Sequence, residues 1–102
     1  MKVITDYSPP NLFIRCVGEL DHHTAAETLR RIEQALDRYL PKNCALDFSA
    51  LTFMDSSGIA VILRAQKHMR ETGGSLVLVH PMSQPEKVLS ASGIHRFVDI
   101  RY

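Results

Sequence analysis

Beyond a short opening hairpin, the chain alternates strand-like and helix-like segments, and this alternation limits its possible folds more than any other feature. The order strand–helix–strand–helix–strand–helix–strand leads to an α/β domain. Right-handed crossovers return the later strands to one sheet in parallel. The clearest helix follows Thr24, where Ala25, Leu29, Ile32, Leu36 and Tyr39 recur at helical spacing and mark one apolar face. Thr24 and Glu27 have capping-box spacing, Glu27 and Arg31 sit four apart as a helix-favouring pair, and Pro41 marks the stop. Lys2–Tyr7 and Leu12–Val17 read as an antiparallel pair, with Pro9 and Pro10 in the turn because proline donates no ladder hydrogen bond. Cys44, Leu46 and Phe48 alternate with Ala45, Asp47 and Ser49, the period of a strand. Ser75–His80 and Phe97–Tyr102 are further strands. Between these two, Ser83 and Glu86 repeat the capping-box spacing and open a short helix to about Ala91, which Gly93 ends.

In FMDSSGIAVIL, residues 53–63, an acid, two serines and a glycine sit between an apolar stretch that looks like a strand and one that fits strand or helix. Ile59–Leu63 alone fits a buried strand or a helix. The residues after it are mostly helix formers, Met69 falls in register with Ile62, and Gly73-Gly74 closes the segment, so a helix is expected near 57–72. It opens at two serines. Capping needs one residue, yet Asp55, Ser56 and Ser57 are all available. Gly58 leaves the surroundings of the serines free of a side chain, which suits close approach by another molecule. Ile59–Leu63 is apolar all round, so part of it is expected at the surface, beside a polar tip, as a partner site; burial of both flanks by the sheet is the alternative. The other polar concentration is GELDHHT, residues 18–24. Asp21 there and Ser56 are expected to share one face, since the functional crevice of an α/β sheet lies beyond the carboxyl ends of its parallel strands.

Several function classes are excluded on chemistry. The 102 residues suit one domain, 1–102, and the net charge of +1 is interspersed, so nucleic acid is not an expected partner. The apolar runs are too short to span a bilayer, and the first residues lack the apolar core of a secretion signal, so no membrane partner and a cytoplasmic location are expected. Cys16 and Cys44 lie in apolar segments and read as two buried free thiols, with one disulfide as the alternative; with no paired histidines nearby they make no zinc signature. Neighbouring His22 and His23 seldom point at one ion, so no metal is expected. Ser56 has Met54 and Gly58 where a hydrolase elbow requires two glycines, and the loop lacks the glycines and lysine of a P-loop. Neither an enzyme nor a cofactor is expected.

GELDHHTA (18–25) and LTFMDSSGIAVIL (51–63), with GGSLVLV and SASGIHRF downstream, resemble the anti-sigma factor antagonists of the STAS domain superfamily over nearly the whole chain. The resemblance implies a single STAS-like domain with a mixed, mostly parallel sheet, an N-terminal hairpin and helices packed on it. It implies a non-enzymatic switch: the unphosphorylated form binds an anti-sigma factor that is also a serine kinase, freeing the sigma factor. The kinase phosphorylates the first serine of the motif, Ser56 here, and a PP2C-type phosphatase reverses this. Asp21 and Asp55 are implied in the kinase contact, with Ser57, Gly58 and Ile59 at the docking edge. Two departures stand out. Ala60 replaces an expected glycine, and the chain stops at Tyr102 where relatives add a helix, which leaves part of the sheet face uncovered. The alternative within the superfamily is a STAS module of another signalling or transporter-associated complex that uses the same loop. Outside it, a small hydrolase or phosphate-binding enzyme would show an activity that depends on Ser56, and a helper domain whose DSSG merely caps a helix would have no phosphorylation and no partner affected by Ser56.

Overall fold

The computed structural model describes Met1–Tyr102 and opens with the expected hairpin, β1 (Lys2–Ser8) and β2 (Asn11–Leu20). Then follow α1 (Ala25–Tyr39), β3 (Asn43–Asp47), β4 (Leu51–Met54), α2 (Ser56–Glu71), β5 (Ser75–Val79), α3 (Ser83–Ser92) and β6 (Asp99–Arg101). The sheet order is β1-β2-β3-β5-β6, antiparallel only between β1 and β2, so the mixed, mostly parallel α/β architecture is borne out.

The expected order counted one strand between α1 and α2 where the structure has two. Leu51–Met54 is a separate strand, and of its four residues only the first and last are buried, too little for a readable period. It pairs in parallel with the far end of β2, beyond a register shift between Gly18 and Glu19. Strand β2 therefore serves two neighbours: Asn11–Arg15 pairs with β3, and its last residues pair with β4.

The alternation of β2, β3 and β5 buries Leu12, Ile14, Cys16, Cys44, Leu46, Leu76 and Leu78, while Phe13, Ala45 and Val77 stay half-buried on the other face. Ile32 and Leu36 of α1, Ile62 and Met69 of α2, and Leu89 of α3 join the same cluster of 21 buried residues. At roughly 1.5–3 kcal/mol for each fully buried large aliphatic side chain, this layer supplies the main drive for folding. Cys16 and Cys44 are free and buried within it, and burial pushes both thiols up to about 12. They are packing groups rather than nucleophiles.

The helix starts differ from the capping boxes expected. Thr24 has helical dihedrals, φ −104° and ψ −14°, and its side chain caps nothing in α1. The turn has already begun at Asp21, whose carbonyl accepts from the Ala25 amide at 2.9 Å. Glu27 pairs with Arg30 (Nε to Oε2, 3.0 Å) rather than with Arg31 or the helix start. In α3 the N-cap is Met82, with no side-chain cap, and Glu86 Oε1 accepts from Ser90 and Tyr102 instead. The other end of α3 matches expectation: Gly93, at φ 71°, takes the left-handed position that costs a larger residue strain. A single 3-10 turn, Ile94–Arg96, then delays and shortens the last strand.

Candidate docking and modification site

Because β2 and β4 pair in parallel, they end together, with Leu20 beside Met54. The residue after each is an aspartate, so Asp21 and Asp55 emerge side by side at one end of the sheet. The expected shared face is real in the structure. The Asp55 amide donates to the Leu20 carbonyl at 3.2 Å, which carries the strand pairing one step further.

Asp55 is the N-cap of α2 and has extended backbone. Its Oδ1 accepts from the Ser57 amide at 2.8 Å, while its Oδ2 accepts from the His22 amide at 3.2 Å and lies 3.6 Å from His22 Nδ1. One carboxylate thus caps a helix and ties two loops together. Partial desolvation pushes its pKa upward, but the Ser57 and His22 amides, the Ser57 hydroxyl and the His22 ring together hold it below the usual carboxylate range. Asp21 turns to its own loop instead. Its Oδ1 accepts from the amides of His23 (2.9 Å) and Thr24 (3.1 Å). Desolvation again opposes these bonds, and again they prevail, so Asp21 is also held low. The His22 and His23 rings stack at 3.9 Å between centroids, both exposed.

The two serines now separate. Ser57 is half-buried, and its amide donates to Asp55. Ser56 is exposed, one position earlier, and the bonds that build the helix start pass it by. Since Asp55 already occupies the Ser57 amide, the start of α2 is closed as an anion cradle.

Gly58 corrects the sequence reading. It is buried, and a Cβ built on it would stand 2.5 Å from Met54 Sδ, 3.2 Å from Leu20 Cδ2, and closer still to Met54 Cγ. Its missing side chain lets α2 settle onto the ends of β2 and β4; it does not open space for a visitor. Ile59, expected with Gly58 at a docking edge, is half-buried against the core. Val61 and Ile62 are buried as well, whereas Ala60 is exposed and Leu63 is 39% exposed. Steps of four and three residues place Ser56, Ala60, Leu63 and Lys67 along one exposed stripe of α2. The apolar girdle of the first two turns is therefore split: two flanks are buried and one apolar strip faces outward below Ser56.

Gln84, which no sequence pattern singles out, holds this end of the sheet from the other side. Its Oε1 accepts from the Met54 amide at 2.8 Å and its Nε2 donates to the Met54 carbonyl at 3.0 Å. A side-chain amide thereby completes the free edge of β4 one residue before Asp55. Phe53 (39% exposed) and Met82 (52% exposed) flank this clamp in the chain.

The chain belongs to the STAS domain family, which it matches over residues 2–102. It is similar to the anti-sigma F factor antagonist of Paenibacillus polymyxa, 33% identical over 89 residues that cover 87% of this chain and 76% of that protein. Among solved structures it is similar to the anti-sigma factor antagonist SpoIIAA in its unphosphorylated form, with a TM-score of 0.81 and 26% identity over 97% of this chain and 87% of that one. The phosphorylated form of the Bacillus cell fate determinant SpoIIAA gives a TM-score of 0.72 at 26% identity, over 97% of this chain and 90% of that one. The resemblance drawn from DSSG and GELDHHTA is borne out.

Proposed function

We propose that this protein is an anti-sigma factor antagonist: its unphosphorylated form binds an anti-sigma factor with serine kinase activity, and phosphorylation of Ser56 releases that partner. A PP2C-type phosphatase resets the switch in the cytoplasm, and the domain itself catalyses nothing. The observation that carries the reading is the division of labour at the start of α2. Asp55 and Ser57 make the cap, while the Ser56 hydroxyl stays exposed and uncommitted. Its relatives' role as antagonists, and the existence of a phosphorylated form of one of them, support the same assignment.

The partner docks on Ser56, Ala60, Leu63 and Lys67 of α2 and on the loop tied by Asp55 and His22. Removing the exposed apolar strip of Ala60 and Leu63 from water favours the complex. A phosphate on Ser56 adds about −1.5 to −2 charges at neutral pH. Within the domain that charge sits at the positive end of a helix and is tolerated. At the interface it must be desolvated against an apolar strip and beside the Asp55 carboxylate. An unpaired charge in such a place costs on the order of 2–5 kcal/mol. That corresponds to roughly thirty- to several-thousand-fold in affinity at about 1.4 kcal/mol per decade. Local repulsion suffices, and the fold need not change.

The test is to mix the protein with its cognate anti-sigma kinase, with and without ATP, following complex size and mapping the phosphopeptide. Ser56→Ala should bind and resist release by ATP. A phosphate on Ser57 alone would refute the assignment. Amide shifts that spread far from the start of α2 on phosphorylation would refute the local account of release.

A further inference from the structure

Strand β1 is an end strand of the sheet and pairs only with β2. Its seven residues contain no proline, and its backbone makes no hydrogen bond beyond the hairpin, so its outer edge is an open template. Beside that edge, between β1 and α1, runs a groove of about 300 Å³. Val3, Ala35 and Tyr39 supply its apolar lining, and Arg31, Gln34 and Arg38 of α1 supply its polar rim. Arg31 and Arg38 are its only charged groups and both are exposed. Neither has a carboxylate within ion-pair distance, in contrast to Arg30, whose guanidinium is held by Glu27. Arg38 instead lies over the Tyr39 ring, 5.5 Å from its centroid.

An open strand edge next to two unpaired guanidiniums selects an occupant. We propose that the β1 edge accepts an extended acidic segment of a partner protein, which adds as a strand to β1 and directs carboxylates to Arg31 and Arg38. The spacing fits. Seven helical residues at about 1.5 Å each separate the two arginines by about 10 Å along α1. Same-face residues of an extended peptide recur about every 6.8 Å, so acids two or four positions apart bracket that distance within the reach of an arginine side chain. Backbone pairing supplies affinity, and the alternate side chains supply selection. A second copy of this chain fits less well. Pairing β1 with β1 about a two-fold axis would turn the arginines of each α1 toward their own counterparts. The only acid on β1, Asp6, alternates onto the face opposite Val3 and Thr5.

The probe is a capped alternating Glu–Val heptapeptide, titrated into the whole protein while backbone amide shifts are followed. Expected are saturating shifts along β1 and α1, slowed exchange of the outward β1 amides, and weakening with added salt. Arg31→Glu with Arg38→Glu should weaken binding by roughly tenfold while keeping the melting temperature of the parent, in line with two exposed ion pairs reversed. A Lys–Val peptide should not bind. Nor should a Glu–Val peptide N-methylated at alternate residues, which keeps the charges but cannot pair with the strand. Equal binding of the N-methylated or lysine peptide, indifference to the double substitution, or shifts confined to the start of α2 would each overturn the proposal. So would concentration-dependent dimerisation through β1, which would assign the edge to a second copy. The readout does not involve Ser56, so its failure leaves the switch untouched, and failure of the switch leaves the edge untouched.

Discussion

Helices α1 and α2 each begin just beyond the end of a parallel strand, after an aspartate: Asp21 follows β2 and Asp55 follows β4. Each aspartate accepts backbone amides of the turn that starts its helix. The hydroxyls differ. At the start of α1, Thr24 Oγ1 accepts from the Asp21 amide at 3.0 Å and donates to the Glu19 carbonyl at 3.0 Å, so it is fully employed in the turn. At the start of α2 the Asp55 carboxylate makes the cap by accepting the Ser57 amide, so neither serine hydroxyl is needed for it. Ser56 is left over. A hydroxyl that holds its own fold together cannot be modified without harm to that fold, while a spare one can carry a charge and alter only what docks on it.

The largest effect that tests this contrast is on binding. Ser56→Asp places a permanent carboxylate where the phosphate would sit and should weaken the complex with the anti-sigma kinase by about thirtyfold or more, the low end of the range for a buried unpaired charge. Calorimetric titration gives the number, and a change below threefold would break the idea that repulsion at this spot releases the partner. The next effect is on stability. Thr24→Ala leaves the Asp21 amide and Glu19 carbonyl without their side-chain partner and should cost about 1–2 kcal/mol in urea unfolding. Ser56→Ala should stay within about 0.5 kcal/mol of the parent. Equal costs for the two would mean that Ser56 is not spare.

Gly58 gives a smaller and more exacting test of how α2 is seated. Alanine in a helix gains about 1 kcal/mol over glycine. Here the added methyl meets Met54, which is wholly buried, and overfilling a packed site typically costs about 1–3 kcal/mol. The expected net is a loss of about 1 kcal/mol for Gly58→Ala, and the loss should vanish when Met54→Ala is made in the same chain. A loss that persists in the double variant would place the cost in the backbone rather than in the contact with Met54.

Much of the fold was legible because it rests on periodicity. The face of α1, the alternation of β3 and the paired glycines after α2 each follow a rule that needs only neighbours in sequence. The DSSG motif stood out as a candidate site because three capping residues stood where one suffices. What stayed hidden depends on distant partners. Leu51–Met54 was too short to show a period, and its strand identity comes from pairing with the end of β2. The capping boxes at Thr24 and Ser83 matched by spacing alone; Asp21 had already opened one turn, and Glu86 was drawn to Ser90 and Tyr102. Gly58 read as open space because the sequence does not show Met54 and Leu20 beneath it. The Gln84 clamp joins residues thirty positions apart through backbone groups, which leave no mark on side-chain identity.

The two helices compared above are also joined along their length, and this link gives the smallest effect. His68 of α2 reaches α1 with both ring nitrogens: Nδ1 lies 3.2 Å from Glu33 Oε2 and Nε2 lies 2.8 Å from Asp37 Oδ1. Only the imidazolium can donate to both carboxylates at once. Burial works against the charged ring, but hydrogen bonds and attraction from Glu33 and Asp37 outweigh it, and the pKa is raised above its ordinary 6.5. A group with a raised folded-state pKa adds stability that is complete below its unfolded value and is lost as pH rises through the folded one. Stability should therefore decline as pH rises from the ordinary imidazole value of 6.5 through the higher folded-state one, by no more than the roughly 1 kcal/mol that a partly exposed ion pair supplies. His68→Gln should flatten that slope, read as urea midpoints across the range. It should leave the binding cost of Ser56→Asp unchanged, because the clamp secures the bodies of the helices while the proposed switch acts at the start of one. An unchanged pH slope in the variant would show that the clamp is not what ties α1 to α2, and a changed binding cost would show that the two helix starts are not independent.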